Sequence, residues 1–183
     1  MNPALSAARK FLAAGRRVKK RNGGMKTVIK MVASGLYLGY SPIASGTIGS
    51  LLGVLIFLQL HNFPLLYICV CLVLILLGFL ISGKAEEIYK QKDSPKIVID
   101  EIAGMCIVYL GLPAGQAGRQ ARLWIIVIGF LIYRALDVIK PPPAKRVEKI
   151  KGSAGIMLDD IICAIYANIM LQVLTRLPLN IGS

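Results

Sequence analysis

Long apolar runs separated by short polar segments make up most of the chain. Three runs approach or reach the length of about 20 residues that a helix needs to cross a bilayer, namely Leu65–Ser82, Ala121–Ile139 and Met157–Leu174. Thr47–Leu60 is shorter, and Ile97–Leu112 carries two acids near its start. Lipid offers backbone N–H and C=O groups no hydrogen-bond partners, so a spanning segment must be a helix or part of a closed barrel. The apolar residues do not alternate with period two, so the sequence does not indicate a barrel. The pattern predicts an all-α, polytopic integral membrane protein with four or five membrane-crossing helices, four if the first short element is re-entrant.

Composition and charge agree with this class. The chain has 183 residues, of which 56% are hydrophobic and 17% charged, which excludes a disordered chain and an ordinary soluble enzyme. The net charge of +13 is concentrated at the start, because nine bases lie within the first thirty residues and no acid precedes Glu86. Lys and Arg beside a first membrane segment stay in the cytoplasm. We predict a basic cytoplasmic extension over residues 1–26 without a removable signal peptide, a membrane domain over residues 27–183, and no nucleic-acid partner.

The loops between the apolar runs alternate in charge. Residues 61–64 and 113–120 are poor in Lys and Arg, whereas residues 84–96 and 140–151 are rich in them. The positive-inside rule places the N-terminus and both rich loops in the cytoplasm, which gives five crossings with the C-terminus outside. On this map four polar clusters fall on one face of the membrane. They are Ser41–Ser50, Asp100-Glu101, Arg134 to Lys140, and Asp159-Asp160.

Five of the nine carboxylates belong to these clusters. The five are Asp100, Glu101, Asp137, Asp159 and Asp160. A charge within an apolar segment costs at least about 2.5 kcal/mol and is functional by default. Carboxylate oxygens suit hard cations, and Mg²⁺ typically takes one or two carboxylates together with waters and substrate phosphate. Since adjacent helical residues point about 100° apart, we expect one member of each acidic pair to bind metal while the other orients a neighbour, and which member does so stays open.

Two simpler interpretations are weighed against a cation site. Asp137 lies three residues from both Arg134 and Lys140, so these side chains share a helix face and could neutralise one another. The segment Ser41–Ser50 combines glycines with hydroxyl residues before an apolar helix, which is a weak phosphate signal and not a P-loop. Three acidic clusters at one membrane depth favour the functional interpretation.

Missing motifs exclude several hydrolase classes. No Cys is followed six residues later by Arg, the single histidine, His61, lies in a loop on the predicted outer side, and there is no GxSxG. These absences argue against cysteine, histidine-nucleophile and serine hydrolases. The four cysteines lack metal spacing and are expected to be buried, reduced thiols. They are Cys69, Cys71, Cys106 and Cys163.

Four sequence blocks, in this order and spacing, together resemble the phosphatidylglycerophosphatase A family. They are SPIASGTIGS at Ser41–Ser50, IDEIAGM at Ile99–Met105, RALDVIKP at Arg134–Pro141 and GIMLDDI at Gly155–Ile161. The resemblance runs from about residue 27 to the C-terminus. It implies a Mg²⁺-dependent enzyme of the bacterial inner membrane that removes the terminal phosphate of phosphatidylglycerophosphate, an anionic phospholipid, to yield phosphatidylglycerol.

The expected site combines the resemblance with the residues. The catalytic candidates are Asp100, Glu101, Asp137, Asp159 and Asp160, of which all but Asp159 are candidate Mg²⁺ ligands. The phosphate-binding candidates are Ser41, Thr47, Ser50, Arg134 and Lys140. The site would face the cytoplasm. A carboxylate-based cation transporter and a phosphatidyl-group transferase are the alternatives, and oligomeric state stays open.

Overall fold

The computed structural model describes residues 23–112 and 119–176. All of the regular secondary structure within these residues is helical. The elements are helical residues 23–33 (α1), a 3-10 helix at Leu38–Tyr40, and the helices Ser45–Leu60 (α2), Pro64–Tyr89 (α3), Ile99–Val108 (α4), Arg119–Ile139 (α5), Ala144–Val147 (α6) and Ser153–Arg176 (α7). The all-α prediction is confirmed for this part of the chain. Most of the predicted basic extension and most of the loop 113–120 lie outside the described residues.

Helices α3, α5 and α7 contain the three long apolar runs. Prolines lie at two of the ends of these helices. Pro64 occupies the first turn of α3, where its missing N–H costs nothing because that N–H would have no partner within the helix. Three prolines, Pro141 to Pro143, follow the last residue of α5, and proline cannot continue a helix.

Two helices, α3 and α7, are long and apolar enough to cross a membrane. α3 turns most of its surface outward and leaves large aliphatic side chains exposed. They include Leu65, Leu72, Leu76 and Leu80. A water-soluble bundle would bury such a row, whereas lipid solvates it. The structure therefore supports membrane association.

Helix α4 differs from the expected crossing over Ile97–Leu112. Its ten residues span about 15 Å, half of a hydrocarbon core of about 30 Å. Eight of the ten are buried, because α4 packs against α2, α3, α5 and α7 at once. It is the central helix of the bundle, and its first turn carries Asp100 and Glu101.

A stripe of glycines on α2 lets α4 approach closely. A Cβ added to Gly49 would stand 2.9 Å from Cβ of Val98, and one added to Gly53 would stand 2.6 Å from Cβ of Met105. Small residues at such spacing allow two helix backbones to pack tightly in a membrane. This packing places the N-terminus of α2 beside the N-terminus of α4.

Contacts at the two ends fix the direction of the helices. His61, just after α2, accepts a hydrogen bond at Nε2 from Nη1 of Arg122, near the start of α5 (2.7 Å). At the other end, Tyr133 late in α5 donates a hydrogen bond to Asp160 early in α7 (3.1 Å). Four helix termini therefore meet at one end of the bundle: the N-termini of α2, α4 and α7 and the C-terminus of α5. The alternating charge of the loops predicts this arrangement.

The four cysteines are free thiols, as expected. Cys71, Cys106 and Cys163 are buried, whereas Cys69 is exposed. The expectation of burial is wrong for Cys69, because it lies on the outward face of α3.

Candidate active site

Three carboxylates from two helices converge at the end where the N-termini meet. Asp100 and Glu101 open α4, and Asp160 lies in the early part of α7. One oxygen from each of the three lies within 4.8 Å of the others. Asp100 is 7% exposed and Asp160 is 4% exposed. We call these three residues the acidic cluster.

The acidic cluster has the donor set of a cation site. The buried oxygens Oδ1 of Asp100 and Oε2 of Glu101 have no hydrogen-bond partner. Within the described residues no Lys or Arg forms a salt bridge to any of the three carboxylates. Buried, unpaired carboxylates are costly, and a hard divalent cation with oxygen ligands offsets that cost. The residues present therefore fit a divalent metal ion.

Tyr133 fixes one oxygen of the acidic cluster. Its hydroxyl is fully buried and donates a hydrogen bond to Oδ2 of Asp160 (3.1 Å). A Cβ at Gly104 on α4 would overlap this hydroxyl, so the glycine creates the space that Tyr133 occupies. The hydrogen bond holds the Asp160 carboxylate in one orientation, which is the usual role of a partner behind a metal ligand.

Arg134 lies beside the acidic cluster and is held by Asp137. Nη1 of Arg134 donates to Oδ2 of Asp137 at 2.7 Å, which is the contact across one helix turn that the simpler, charge-neutralising interpretation allows. A Cβ on Gly46 would overlap Oε1 of Glu101 and would stand 3.4 Å from Nη1 of Arg134. The N-terminus of α2, the arginine and the acidic cluster are therefore immediate neighbours.

Asp159 belongs to different surroundings from Asp160. Its Oδ2 accepts a hydrogen bond from Nζ of Lys140 at 2.6 Å, and the same Nζ lies 3.2 Å from Oε1 of Glu148. Burial alone would lower the pKa of Lys140, but the hydrogen bonds and charges of Asp159 and Glu148 raise that pKa above its ordinary value. Lys140 is therefore a charged partner of two carboxylates.

The three predicted hydroxyl ligands have different positions. Ser41 donates to the carbonyl of Ile43 (3.0 Å), and buried Ser50 donates to the carbonyl of Gly46 (3.0 Å), so both hydroxyls are used locally. Thr47 is half-buried in the first turn of α2, one residue from Gly46. Of the three, only Thr47 has no such local hydrogen bond among those described.

Two geometric expectations require correction. Asp100 and Glu101 were expected to divide their roles, yet both join the acidic cluster, because the longer Glu side chain reaches round the helix. The second pair does divide, with Asp160 in the cluster and Asp159 on Lys140. The charge-neutralising interpretation pairs Asp137 with Lys140 as well, but Lys140 follows the last residue of α5 and its Nζ contacts Asp159 of α7 instead.

Sequence reasoning missed Tyr133 and Gly104. Tyr133 lies four residues before Asp137 and therefore shares its helix face, a signal that was available. The contact between Gly104 and Tyr133 joins two helices that are distant in the sequence, so no local sequence pattern predicts it.

The fold and the acidic cluster define a class: a membrane-associated helical protein with a buried, cation-type carboxylate site beside an arginine. A family model described as Phosphatidylglycerophosphatase A matches residues 31–175. The chain belongs to the phosphatidylglycerophosphatase A family and is a phosphoric monoester hydrolase.

Curated relatives cover most of this chain. A protein of Escherichia coli named phosphatidylglycerophosphatase A is 32% identical over 84% of this chain and 87% of its own. A Haemophilus influenzae protein of the same name is 34% identical over 78% of this chain and 85% of its own. A Bacteroides thetaiotaomicron protein with the provisional name phosphatidylinositol-3-phosphatase is 29% identical over 78% of this chain and 91% of its own. No solved structure matches the chain.

Proposed function

We propose that the protein hydrolyses the terminal phosphomonoester of phosphatidylglycerophosphate to phosphatidylglycerol and inorganic phosphate, with Mg²⁺ at the acidic cluster. The observation that carries the proposal is the set of buried, unpartnered carboxylate oxygens in the acidic cluster beside Arg134. Family membership supports the phosphomonoester chemistry, and the names of two relatives support this lipid as substrate.

Asp100, Glu101 and Asp160 would hold the metal ion. When bound, such an ion polarises a phosphoryl group and lowers the pKa of an attacking water. The hydroxyl of Tyr133 donates its hydrogen bond to one carboxylate oxygen of Asp160, which leaves the other oxygen for the ion. Water attacks phosphorus and the bond from phosphorus to the glycerol oxygen breaks. One proton of the water ends on that glycerol oxygen, so the products are the alcohol and inorganic phosphate.

Arg134 and the first turn of α2 would bind the phosphate oxygens. Arg134 is fixed by Asp137, and its second guanidinium nitrogen remains to meet an anion. The backbone amides at the start of a helix favour negative charge. Because Gly46 has no side chain, the first turn of α2 lies directly against Glu101. Charge that develops on the phosphoryl oxygens is stabilised by donors fixed before the reaction.

The proposed topology places this site at the cytoplasmic surface of the inner membrane. α2, α3, α5 and α7 would cross, and the chain would make a third pass through α4 and the non-helical residues 109–112 that follow it. Lys and Arg between α3 and α4 and between α5 and α7 would stay inside. A lipid headgroup then reaches the acidic cluster from the leaflet, and the basic residues 1–26 would bind anionic headgroups nearby.

The experiment is phosphate release from lipid phosphates by purified protein in mixed micelles. We expect release from phosphatidylglycerophosphate with Mg²⁺ and none with a chelator. Asp160→Asn should lose at least about 100-fold in kcat, as for other groups that stabilise charge in the transition state. Glu87→Gln is the matched control, because Glu87 is exposed on α3 and outside the acidic cluster.

Phosphatidylinositol 3-phosphate belongs in the same assay, since one relative is named for it. Faster release from this lipid would replace the proposed substrate. Full activity of Asp160→Asn would overturn the assignment of the acidic cluster, and cation flux through reconstituted protein without phosphate release would favour the transporter.

A further inference from the structure

Two lysines and two tyrosines come together at the end of the bundle where α3 ends and α4 begins. They belong to α1, to the end of the 3-10 helix, to the end of α3 and to the loop before α4. They are Lys30, Tyr40, Tyr89 and Lys96, and we call them the tyrosine–lysine cluster. The rings of Tyr40 and Tyr89 meet edge to face, and their hydroxyl oxygens lie 3.2 Å apart.

Both lysines of the cluster approach one aromatic ring. Nζ of Lys30 lies 5.5 Å and Nζ of Lys96 lies 5.6 Å from the centroid of the Tyr89 ring. Nζ of Lys96 is also 5.3 Å from the centroid of the Tyr40 ring. Within the described part of the chain, neither lysine forms an ion pair with a carboxylate. The ring faces attract these cations but carry no net charge, so the charge of the two ammonium groups is not neutralised.

The pair of tyrosine hydroxyls adds a hydrogen-bond donor to this positive charge. One hydroxyl donates to the other, so the proton of the accepting hydroxyl is not used in the bond between them. Phosphate oxygens accept hydrogen bonds from ammonium and hydroxyl groups, and those from charged donors are the stronger ones. The tyrosine–lysine cluster therefore has the donors of a phosphate site.

The loop between α1 and α2 places exposed apolar side chains beside the cluster. Leu36 is 69% exposed and Ile43 is 77% exposed, and the ring of Tyr37 lies 5.6 Å from that of Tyr40. Leu36 and Tyr37 have positive φ angles of 57° and 69°, which cost energy in residues other than glycine. The N–H of Tyr37 donates to Oγ of Ser34 (3.1 Å) and so holds this turn. A fixed turn with aliphatic side chains directed outward fits contact with lipid better than contact with water.

We propose that the tyrosine–lysine cluster binds the phosphodiester of an anionic phospholipid. The phosphate oxygens accept hydrogen bonds from the ammonium groups of Lys30 and Lys96, and the acyl chains lie along the apolar side chains of the loop between α1 and α2. Basic pockets between helices at the cytoplasmic side of a membrane recognise anionic headgroups in this way. A zwitterionic lipid carries the same phosphodiester beside a quaternary ammonium, which the two lysines repel, so the site selects a headgroup of net negative charge.

This lipid site is separate from the acidic cluster in chemistry and in residues. Its donors are cationic, whereas the acidic cluster presents carboxylates. Lys96 lies four residues before Asp100, so a lipid bound there would join α1 to the loop that leads into the acidic cluster. The proposal holds whichever phosphomonoester the protein hydrolyses.

The test measures lipid binding to the full chain by native mass spectrometry from detergent. The probes are phosphatidylmethanol, an anionic phosphodiester lipid without a phosphomonoester, and phosphatidylcholine. We expect wild type to bind the first phosphatidylmethanol at least about tenfold more tightly than phosphatidylcholine, because each lysine near a lipid surface adds to the attraction. The double variant Lys30→Gln, Lys96→Gln should lose this preference, and inorganic phosphate should not displace the lipid.

The matched control is the double variant Lys145→Gln, Lys149→Gln. It removes the same charge from two exposed lysines after α5 and should keep the wild-type preference. Where the Lys30, Lys96 double variant fails to fold, Lys96→Gln alone gives the comparison, because Lys96 is exposed.

Equal binding of both lipids by wild type would overturn the proposal. An unchanged preference in the Lys30, Lys96 double variant, or an equal loss in the control, would also overturn it. Displacement of the lipid by inorganic phosphate would replace the lipid site with a site for the free anion. None of these results depends on phosphatase activity, so the proposed function stands or falls separately.

Discussion

Asp159 and Asp160 are adjacent in the chain but have opposite surroundings. Asp160 points to Tyr133 and the acidic cluster, whereas Asp159 points to Lys140 and Glu148. A step of about 100° between neighbouring helical residues produces this division. The same step does not separate Asp100 from Glu101, because the extra methylene of the glutamate brings its carboxylate back to the shared site.

Gly46 lies where α2 packs against the acidic cluster. Its missing side chain leaves room for Glu101 Oε1 against the first turn of α2. We predict that Gly46→Ala lowers phosphatase activity by at least about tenfold, because the added methyl displaces Glu101, and such misplacements are costly in catalysis.

Gly24→Ala is the matched control for this change. A Cβ on Gly24 would meet no atom within 4 Å, so full activity is expected. A Gly46→Ala protein with wild-type kcat and unchanged Mg²⁺ dependence would show that the approach of α2 to Glu101 has no catalytic role.

At the scale of elements, α4 ends inside the bundle because side chains of α7 satisfy its last carbonyls. The amide nitrogen of Asn168 donates to the carbonyls of Ile107 (3.1 Å), Val108 (2.9 Å) and Leu110 (2.9 Å). Its own carbonyl oxygen accepts from Gln172 (2.9 Å). A helix end buried in an apolar interior needs such partners, and these allow the chain to leave the helix after ten residues.

We predict that Asn168→Leu lowers the free energy of unfolding by about 1–3 kcal/mol, since buried carbonyls lose their donor. Thermal unfolding in detergent measures the change. Ile169→Leu, at the exposed neighbouring position, should leave the unfolding temperature unchanged. An Asn168→Leu protein as stable as wild type would mean that the end of α4 does not depend on this side chain.

Hydropathy predicted the helices but not the end of α4. The runs at Leu65–Ser82 and Ala121–Ile139 indicate α3 and α5 because apolar length and proline stops are local signals. The carbonyl acceptors of α4 lie about sixty residues from Asn168, and no local pattern joins them. The acidic cluster was predictable as a group of acids at one depth, while the pairing of Lys140 with Asp159 depended on how the chain leaves α5.

At the scale of the whole molecule, the two ends of the bundle have different polarity. One end carries the acidic cluster, the ion pair of Lys140 with Asp159 and the basic loops. The other end carries His61 and Arg122, joined by a hydrogen bond. This asymmetry agrees with the proposed orientation, in which the end that carries the acidic cluster and the basic loops would face the cytoplasm.

Cysteine labelling tests this orientation. In a cysteine-free background, a membrane-impermeant thiol reagent applied from outside should label His61→Cys and not Lys149→Cys. In inverted vesicles the pattern should reverse, because Lys149 lies in the basic segment after α6. Labelling of both positions from one side would contradict the proposed crossings.

The central claim is that Asp100, Glu101 and Asp160 together hold a divalent ion. The most direct measurement is an anomalous difference map from crystals of the full chain grown in lipid with Mn²⁺. We predict a peak in contact with carboxylate oxygens of all three residues. A Mn²⁺-loaded crystal with no peak among these three carboxylates, or with a Lys or Arg nitrogen in that position, would contradict the account.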